Sequence, residues 1–269
     1  MNFQIAIPSY KRSQKLNEKT LAYLRTLPVE WDKITVFLNS EEELADYKKD
    51  ISGVRFAVVG GSGIATARTF IRSYYPENTN VLNLDDDIKT IRFLNPDVKP
   101  IPLFNRMFEL LREQNCSLWG IYPTNTTNMY YNKDRVAIGF QYILGACFGW
   151  INKPLQYPEY LNYTLDDRWL SMYCYKQDGK VLRYEGCSAY TNNYSKGGLE
   201  EVRKNYRDRW VAAGQTLEAQ YPDLCKYQVK KNGKPDVVFK RMNRVFIPLY
   251  NTQQETTTQQ ESRCEADSD

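Results

Sequence analysis

The sequence predicts an α/β fold in which a mostly parallel sheet is flanked by helices. The first observation is that strand and helix patterns alternate over residues 3–84, in the order β-α-β-α-β-α-β. This order generates parallel strands joined by right-handed crossovers. The second observation is that a polar or glycine-rich segment follows each predicted strand, at residues 8–13, 39–40, 60–63 and 85–87. Ligands of such sheets bind outside the carboxyl ends of the strands, so the topology predicts a nucleotide site at that edge.

The elements of this first half follow one another with short connections. Runs of apolar residues predict four strands, at residues 3–7, 33–38, 54–59 and 80–84. Apolar residues at helical spacing predict three helices, at residues 16–27, 41–49 and 64–75. Pro28 would end the first of these helices. Ser40 is placed to cap the second, with Glu43 as its capping-box partner.

The second half continues with a predicted helix at residues 103–114 and a strand at residues 118–122. A polar, aromatic loop at residues 124–134 follows, and the apolar stretch 136–150 is expected to return to the sheet. That stretch contains three glycines, Gly139, Gly145 and Gly149. Glycines permit close approach of a ligand to the backbone, and tight core packing explains them equally well.

The composition excludes several kinds of site. The chain has no histidine, which excludes His-based triads and the usual His-containing zinc sites, and leaves carboxylates as the main candidates for proton transfer. The six cysteines are scattered without a CxxC pair, and the N-terminus lacks a secretory pattern, so we expect reduced thiols and a cytoplasmic location. No apolar run is long enough to predict a membrane span.

Charge is distributed unevenly along the chain. The formal net charge is +4, but the C-terminal residues 251–269 are acidic, so the preceding residues carry about +8. A basic segment, residues 226–244, has Asp236 as its acidic residue. Its cations are Lys226, Lys230, Lys231, Lys234, Lys240, Arg241 and Arg244. Such a cluster can contact a polyanion, and a well-solvated basic hairpin has a similar composition.

The acidic triplet Asp85, Asp86 and Asp87 directly follows the fourth predicted strand. Three adjacent carboxylates repel one another, so the fold gains nothing from them at that place. A divalent cation would remove the repulsion, and hard oxygen ligands suit Mg²⁺ or Mn²⁺ carried with a diphosphate. The alternative is a solvated acidic turn, which is a common feature of loops.

The acidic pair Asp166 and Asp167 forms a second cluster of carboxylates. Thr164 is expected to be the N-cap of a helix that carries both aspartates in its first turn. The helix dipole alone could account for them there. Because the chain has no histidine, we favour a functional interpretation, in which one of the two aspartates is a catalytic base.

The glycine loop at residues 60–63 partly fits a dinucleotide-binding fingerprint. Gly61 and Gly63 match the first two positions, but Thr66 occupies the third glycine position. The loop also follows the third strand, and no acidic ribose ligand stands at the required distance. An isolated glycine pattern is weak support for a nicotinamide or flavin site.

Five blocks occur in an order that is similar to a known group of enzymes. They are IAIPSYKR (5–12), VFLNSEEE (36–43), IATARTFI (64–71), LDDDI (84–88) and LDDRWLS (165–171). With them the chain resembles nucleotide-sugar glycosyltransferases of the GT-A (Rossmann-like) fold. More narrowly, it resembles the TET/JBP-associated glycosyltransferases of bacteriophages and related DNA-modifying systems. Residues 192–203 and 221–223 also resemble that group, and the likeness extends over nearly residues 1–245.

The resemblance implies a division of labour along the chain. Residues 1–97 would form the half that binds the nucleotide-sugar, and residues 98–250 the acceptor-binding half of the same domain, with a C-terminal elaboration. Residues 251–269, rich in Gln, Thr and acidic side chains, should be a disordered tail. The implied donor-binding residues are Pro8, Ser9, Tyr10, Arg12, Asn39, Arg68, Asp85 and Asp86.

The resemblance also implies the metal and the base. Asp87 and Asp85 would bind Mn²⁺ or Mg²⁺, which bridges the diphosphate. Asp167 would be the general base. Where the group more often has Glu-Asp, this chain has Asp-Asp, a shorter side chain at the first position, so the choice between Asp166 and Asp167 stays open.

The resulting hypothesis is transfer of a sugar from a UDP-sugar to the hydroxyl of a 5-hydroxymethylpyrimidine in DNA, with 5-hydroxymethylcytosine first. Inversion of the anomeric carbon is favoured because one base suffices. The target base would leave the duplex and could stack on Tyr130, Tyr131 or Trp169. One alternative is a GT-A enzyme that acts on a glycan, glycolipid or protein, and another is a DNA-binding module whose acidic loops are structural. The donor sugar, glucose, arabinose or another, is open.

Overall fold

The computed structural model describes residues 1–123, 133–162, 164–191 and 206–250. Several predictions fall outside these residues. They concern most of the loop at residues 124–134 with Tyr130 and Tyr131, the block at residues 192–203, and the tail at residues 251–269.

Thirteen strands are formed by the described residues. They are β1 Gln4–Pro8, β2 Ile34–Leu38, β3 Arg55–Val58, β4 Asn80–Leu84, β5 Ile88–Phe93, β6 Leu118–Ile121, β7 Val136–Gly139, β8 Cys147–Ile151, β9 Val181–Tyr184, β10 Cys187–Thr191, β11 Cys225–Val229, β12 Pro235–Phe239 and β13 Arg244–Ile247. The α-helices are α1 Ser13–Leu16, α2 Ala22–Leu24, α3 Glu41–Asp50, α4 Ile64–Tyr74, α5 Pro100–Glu113, α6 Asp166–Asp178 and α7 Tyr206–Gln220.

Nine of these strands form one central sheet, in the order β13-β7-β9-β6-β8-β4-β1-β2-β3. β8 is antiparallel to β4 and β6, and β7 is antiparallel to β9 and β13. The remaining seven strands of the sheet therefore run in one direction. The predicted α/β class, with a mostly parallel sheet flanked by helices, is confirmed.

Two apolar layers cover the two faces of this sheet. Successive residues of β1 alternate between them, since Ile5 and Ile7 belong to one layer and Ala6 to the other. The first layer includes buried residues of α1–α3 and α5, and the second includes those of α4, α6 and α7. At the C-terminal end, α7 packs on the two-stranded hairpin β11–β12. This is the predicted elaboration beyond the central sheet.

The first helical region departs from its prediction. It begins at Ser13 and ends at Leu24, about one turn earlier than expected at each end, and contains a π-helical turn, Asn17–Leu21. The π turn carries Thr20, whose hydroxyl donates to the Asp85 carbonyl (2.6 Å) and accepts from the Ile88 N–H (3.0 Å). These two bonds attach the π-helical turn to the backbone of Asp85 and Ile88, at the two ends of the acidic triplet.

Two further details of the predictions need correction. Thr164 does not cap α6, because Leu165 is the N-cap in a left-handed conformation (φ 58°), and the buried Thr164 hydroxyl has no hydrogen-bond partner among the described residues. The stretch 136–150 is not continuous sheet but two strands, β7 and β8, joined by residues 140–146. The capping of α3 by Ser40 is confirmed (3.4 Å to Glu43 N), although the Glu43 carboxylate returns to the Asn39 N–H rather than to Ser40.

No helix among the described residues has the length and apolar character that crossing a membrane requires. The five cysteines in the described part of the chain are buried and unpaired, as the scattered spacing predicts.

Candidate active site

A cleft of about 630 Å³ opens at the carboxyl edge of the parallel strands. This volume is typical of a small-molecule site. Every residue that the sequence assigned to the donor, the metal or the base lines this cleft: Pro8, Ser9, Tyr10, Arg12, Asn39, Arg68, Asp85, Asp86, Asp87, Asp166 and Asp167. The two acidic clusters, which are separated by about eighty residues in the chain, therefore share one cleft.

Asp86 is buried and holds the loop that follows β1. Its carboxylate accepts hydrogen bonds from the Ser9 hydroxyl (2.7 Å) and from Nη1 of Arg12 (3.1 Å). Because Ser9 donates to Asp86, the Tyr47 hydroxyl donates to Ser9 (2.7 Å) and itself accepts from the Arg12 N–H (2.9 Å). Both Asp86 oxygens are thus engaged by the protein, and this residue shapes the predicted donor loop. Sequence reasoning missed Tyr47, which lies on the buried face of α3.

Asp85 and Asp87 have the properties expected of metal ligands. Burial, with the charge of the nearby Asp87 carboxylate as the next cause, raises the pKa of Asp85 to about 7. Burial likewise raises the pKa of Asp87, with the charge of Asp86 as the next cause. Neither carboxylate accepts a hydrogen bond from another described side chain, so a cation would relieve an unfavourable concentration of charge.

The donor set fits a metal that is shared with a ligand. The described residues contain no group of three or more His, Cys, Asp or Glu side chains that could hold a metal by themselves. Mg²⁺ and similar cations are commonly bound by one or two carboxylates together with substrate phosphates. Asp85 and Asp87 fit that mode rather than a closed protein cage.

Arg68 connects the two acidic clusters. It is 4% exposed, its Nη1 forms an ion pair with Oδ2 of Asp166, and its Nη2 donates to the Gly145 carbonyl (3.3 Å). The Arg68 charge also opposes the rise in the pKa of Asp85. A Cβ in place of Gly145 would lie 2.8 Å from Nη2 of Arg68, so a side chain here would displace this guanidinium. The predicted contact of Arg68 with the nucleotide stays a prediction.

We expect Arg68→Met to lower the free energy of unfolding by about 3 kcal/mol, since it leaves the Asp166 carboxylate unpaired in a mostly buried site. Denaturant unfolding measures this loss, and the added substitution Asp166→Asn should recover part of it. Arg72→Met is the matched control, because Arg72 lies on the same helix and is equally buried but stacks on Trp150. The assigned ion pair would be contradicted if Arg68→Met lost no more free energy of unfolding than Arg72→Met, and if adding Asp166→Asn recovered none of that loss.

Asp167 is held by neutral donors. Its Oδ2 accepts from the Tyr142 hydroxyl and from the Gly145 N–H (3.3 Å), and its Oδ1 accepts from the Arg168 N–H (2.8 Å). The Arg168 guanidinium lies farther away, with Nη1 3.9 Å from Oδ1 of Asp167. Asp166 is instead paired tightly with Arg68, which weakens it as a proton acceptor. The arrangement favours Asp167 as the base.

The N-terminus of α4 is capped from a distant part of the chain. Asn162 Oδ1 accepts from the N–H (2.8 Å) and the hydroxyl (3.1 Å) of Thr66, and the Asn162 carbonyl accepts from the Ile64 N–H (2.9 Å). Gly63 has φ +97°, and a Cβ there would lie 2.5 Å from Asn162. The glycine loop thus serves this contact, and the occupied N–H groups do not favour a dinucleotide phosphate.

Trp169 is not available to stack on an extruded base. Its side chain is 4% exposed and lies between Tyr157 and Tyr173, at ring distances of 4.9 and 5.0 Å. The prediction for Trp169 is wrong because the aromatic pattern of α6 gives no sign of which rings the second apolar layer buries.

The basic segment forms the exposed hairpin β11–β12 and the residues after it. The six predicted polyanion-binding residues are exposed: Lys226, Lys230, Lys231, Lys234, Lys240 and Arg241. Lys230 forms an ion pair with Asp236 (2.9 Å), and the hairpin contacts Tyr142 through Phe239. The cationic surface is therefore adjacent to the residues that hold Asp167.

No protein-family model and no curated protein sequence matches the chain. Among solved structures it is similar to TarS from S. aureus, with 12% identity and a TM-score of 0.49 over 81% of this chain. It is also similar to glucosyl-3-phosphoglycerate synthase from Mycobacterium tuberculosis, crystallised with Mn²⁺, UDP and glucosyl-3-phosphoglycerate (12% identity, TM-score 0.48, 92% of this chain). A third is mannosyl-3-phosphoglycerate synthase from Rubrobacter xylanophilus (12%, 0.44, 92%). The matches span 40%, 90% and 87% of those three chains.

Proposed function

We propose that the chain is a metal-dependent GT-A glycosyltransferase that moves a sugar from a UDP-sugar to the hydroxyl of a 5-hydroxymethylpyrimidine in DNA, with 5-hydroxymethylcytosine as the first candidate. The observation that carries this proposal is the shared cleft. Two carboxylates that line it, Asp85 and Asp87, accept no hydrogen bond from another described side chain, and Asp167 lines the same cleft in a fixed orientation. Acceptor activation and leaving-group stabilisation need these two functions together.

The donor half of the cleft supports binding of a nucleoside diphosphate sugar. Asp85 and Asp87 would hold the cation, Mn²⁺ or Mg²⁺, whose charge stabilises the departing diphosphate when it is bound. Ser9 and Arg12, fixed by Asp86, would bind the base and ribose together with the neighbouring Pro8, Tyr10 and Asn39.

Asp167 supports the acceptor step. As the acceptor oxygen forms its bond to the anomeric carbon, the hydroxyl proton passes to the Asp167 carboxylate. The bond from the anomeric carbon to the diphosphate breaks, and the diphosphate leaves with the electron pair. A single direct displacement of this kind inverts the anomeric carbon.

The position of the basic hairpin supports a polyanionic acceptor. Its cations are exposed, and one of them, Lys230, shares the Asp236 carboxylate with Arg168, whose N–H donates to Asp167. Phosphates bound there would bring a nucleic acid to the acceptor side of the cleft.

The test is incubation of the protein and Mn²⁺ with a panel of UDP-sugars and DNA that carries cytosine, 5-hydroxymethylcytosine or 5-hydroxymethyluracil, followed by mass measurement of the released nucleosides. A mass increase of one sugar on a hydroxymethylated nucleoside is the expected result. Donor turnover with a glycan, lipid or protein acceptor and none with DNA would retain the glycosyltransferase and reject the DNA acceptor. No turnover of any donor would reject the enzyme.

We expect the combined change of Lys230, Lys231 and Lys234 to Gln to weaken binding to every DNA sequence. Loss of three phosphate contacts should reduce the slope of log affinity against log salt concentration by about 2–3. Fluorescence anisotropy over a salt series measures this. A control with Lys48, Lys49 and Lys99 changed to Gln removes the same charge from exposed lysines that do not line the cleft. Equal slopes for the two variants would place DNA binding elsewhere.

A further inference from the structure

We propose that Tyr142 is a positioning residue for Asp167, and that the hairpin β11–β12 holds Tyr142 and Arg168 in place, so that the polyanion-binding surface is linked to the general base. This inference rests on the proposed role of Asp167. It gives a role to Tyr142 and to the part of the hairpin that contacts Tyr142 and Arg168.

Hydrogen bonds fix the orientation of the Asp167 carboxylate. The Tyr142 hydroxyl and the Gly145 N–H both donate to Oδ2, and the Arg168 N–H donates to Oδ1. Gly145 and Arg168 contribute through their backbone, so Tyr142 is the described side chain whose hydrogen bond sets the orientation of this carboxylate. Asp167 is 17% exposed and lines the cleft, whereas Tyr142 is not among the lining residues. Tyr142 thus acts through Asp167 rather than on the substrate.

Tyr142 is the donor in its hydrogen bond with the Asp167 carboxylate. Burial, with the Asp167 charge as the next cause, raises the pKa of Tyr142 well above its usual value. The phenol therefore keeps its proton at neutral pH and donates it to the carboxylate. A donor to an ionised carboxylate stabilises the charged form, which is the form that a general base needs before reaction.

The segment that carries Tyr142 is hydrogen-bonded to helix α6. Tyr142 lies in the connection at residues 140–146, and its neighbour Ile143 donates from its N–H to the Ser171 hydroxyl (2.9 Å). Ser171 in turn donates to the Asp167 carbonyl (2.8 Å). The connection and the first turns of α6 therefore form one hydrogen-bonded unit, which limits movement of Tyr142 relative to Asp167.

The hairpin β11–β12 contacts both Tyr142 and Arg168. The Phe239 ring of β12 packs edge-on against the Tyr142 ring (5.8 Å, 74°), and the Arg168 guanidinium lies 5.0 Å from the centre of that ring. Arg168 Nε also donates to the Val237 carbonyl (3.4 Å). Two residues of one strand, Val237 and Phe239, thus contact two of the three residues that donate to the Asp167 carboxylate.

A shared carboxylate extends this connection to the cationic surface. Asp236 forms an ion pair with Lys230 (2.9 Å) and lies 3.8 Å from Nη2 of Arg168. A DNA phosphate that attracts Lys230 would leave Asp236 to Arg168. We therefore expect acceptor binding to strengthen the ion pair between Asp236 and Arg168, which lies beside the Asp167 carboxylate.

The test is Tyr142→Phe, which removes the hydroxyl and keeps the ring. We expect kcat to fall about 10- to 100-fold, by analogy with the loss of a positioned hydrogen bond. The KM for the UDP-sugar and the Kd for DNA should not change.

Tyr175→Phe is the matched control, because Tyr175 lies on α6, the helix that carries Asp167, but packs on Phe140, 4.8 Å away. Phe239→Leu keeps the Tyr142 hydroxyl and removes its ring contact, so it should lower kcat by a smaller factor, with melting temperature as a check on folding. Wild-type kcat in Tyr142→Phe, with an inactive Asp167→Asn, would overturn the positioning role and leave the proposed function standing. Full activity in Asp167→Asn would instead reject the proposed base.

Discussion

Asp167→Asn is expected to lower kcat about 10³-fold while the binding of the UDP-sugar and of DNA is retained. The amide has the shape of the carboxylate and can still accept the hydrogen bonds from Tyr142 and Gly145, but it cannot take a proton from the acceptor hydroxyl. Single-turnover transfer measured beside equilibrium binding separates these two effects. Because the carboxylate is a mere sixth exposed and hydrogen-bonded at both oxygens, the melting temperature must be compared as well.

Two variants define what this result means. Asp97→Asn changes an exposed aspartate outside the cleft and should leave kcat unchanged. Asp166→Asn should act differently, because it removes the partner of a buried arginine and so reduces stability more than it reduces proton transfer. A large kcat loss in Asp166→Asn with a small loss in Asp167→Asn would transfer the base to the first aspartate.

The sequence could predict the cleft because its residues follow a topological rule. Each predicted strand of the first half is followed by a polar segment, and parallel strands bring those segments to one edge. Ser9, Asn39 and Asp85 were found in this way, and the structure places all three in the cleft. Periodicity and turn chemistry carry this information because they act over a few neighbouring residues.

The residues that support the cleft could not be predicted in the same way. Asn162 caps a helix that begins 98 positions earlier in the chain, and Thr20 bonds to a carbonyl 65 residues away. Tyr47 bonds to a serine 38 residues away, and Tyr142 bonds to an aspartate 25 residues away. None of these contacts has a local signature, since each depends on how two separate elements pack.

The same limit explains the corrected N-terminus of α6. Thr164 has the residue type of an N-cap, and Leu165 does not. The chain nevertheless takes the left-handed conformation at Leu165 and buries its side chain. Burial of the leucine in the second apolar layer outweighs the capping preference, which amounts to about 1 kcal/mol. The strain at this residue immediately precedes the acidic pair, where irregular backbone commonly serves function.

Asp87→Asn is expected to abolish metal-dependent transfer and to remove most of the stabilisation by metal. With UDP present and Mn²⁺ at about 100 times its Kd, binding should stabilise the wild-type fold by about 2.7 kcal/mol. For a domain of this size that corresponds to a rise of about 5–10 °C in Tm. Loss of one of two carboxylate ligands should remove most of this rise, which differential scanning calorimetry measures without reference to activity.

The pH dependence of that rise gives a second signature of the same site. Burial raises the pKa of Asp85 to about 7, so the metal-free protein carries a proton there at pH 6 that it has released at pH 8. Because a metal must displace this proton, the Tm rise with Mn²⁺ should be larger at pH 8 than at pH 6. The folded value lies above that of the unfolded chain, so metal-free stability falls as the pH rises through 7, and Mn²⁺ offsets this fall. An Asp87→Asn variant that keeps the full, pH-dependent rise would place the metal away from the acidic triplet, because no other pair of unpaired carboxylates lines the described part of the cleft.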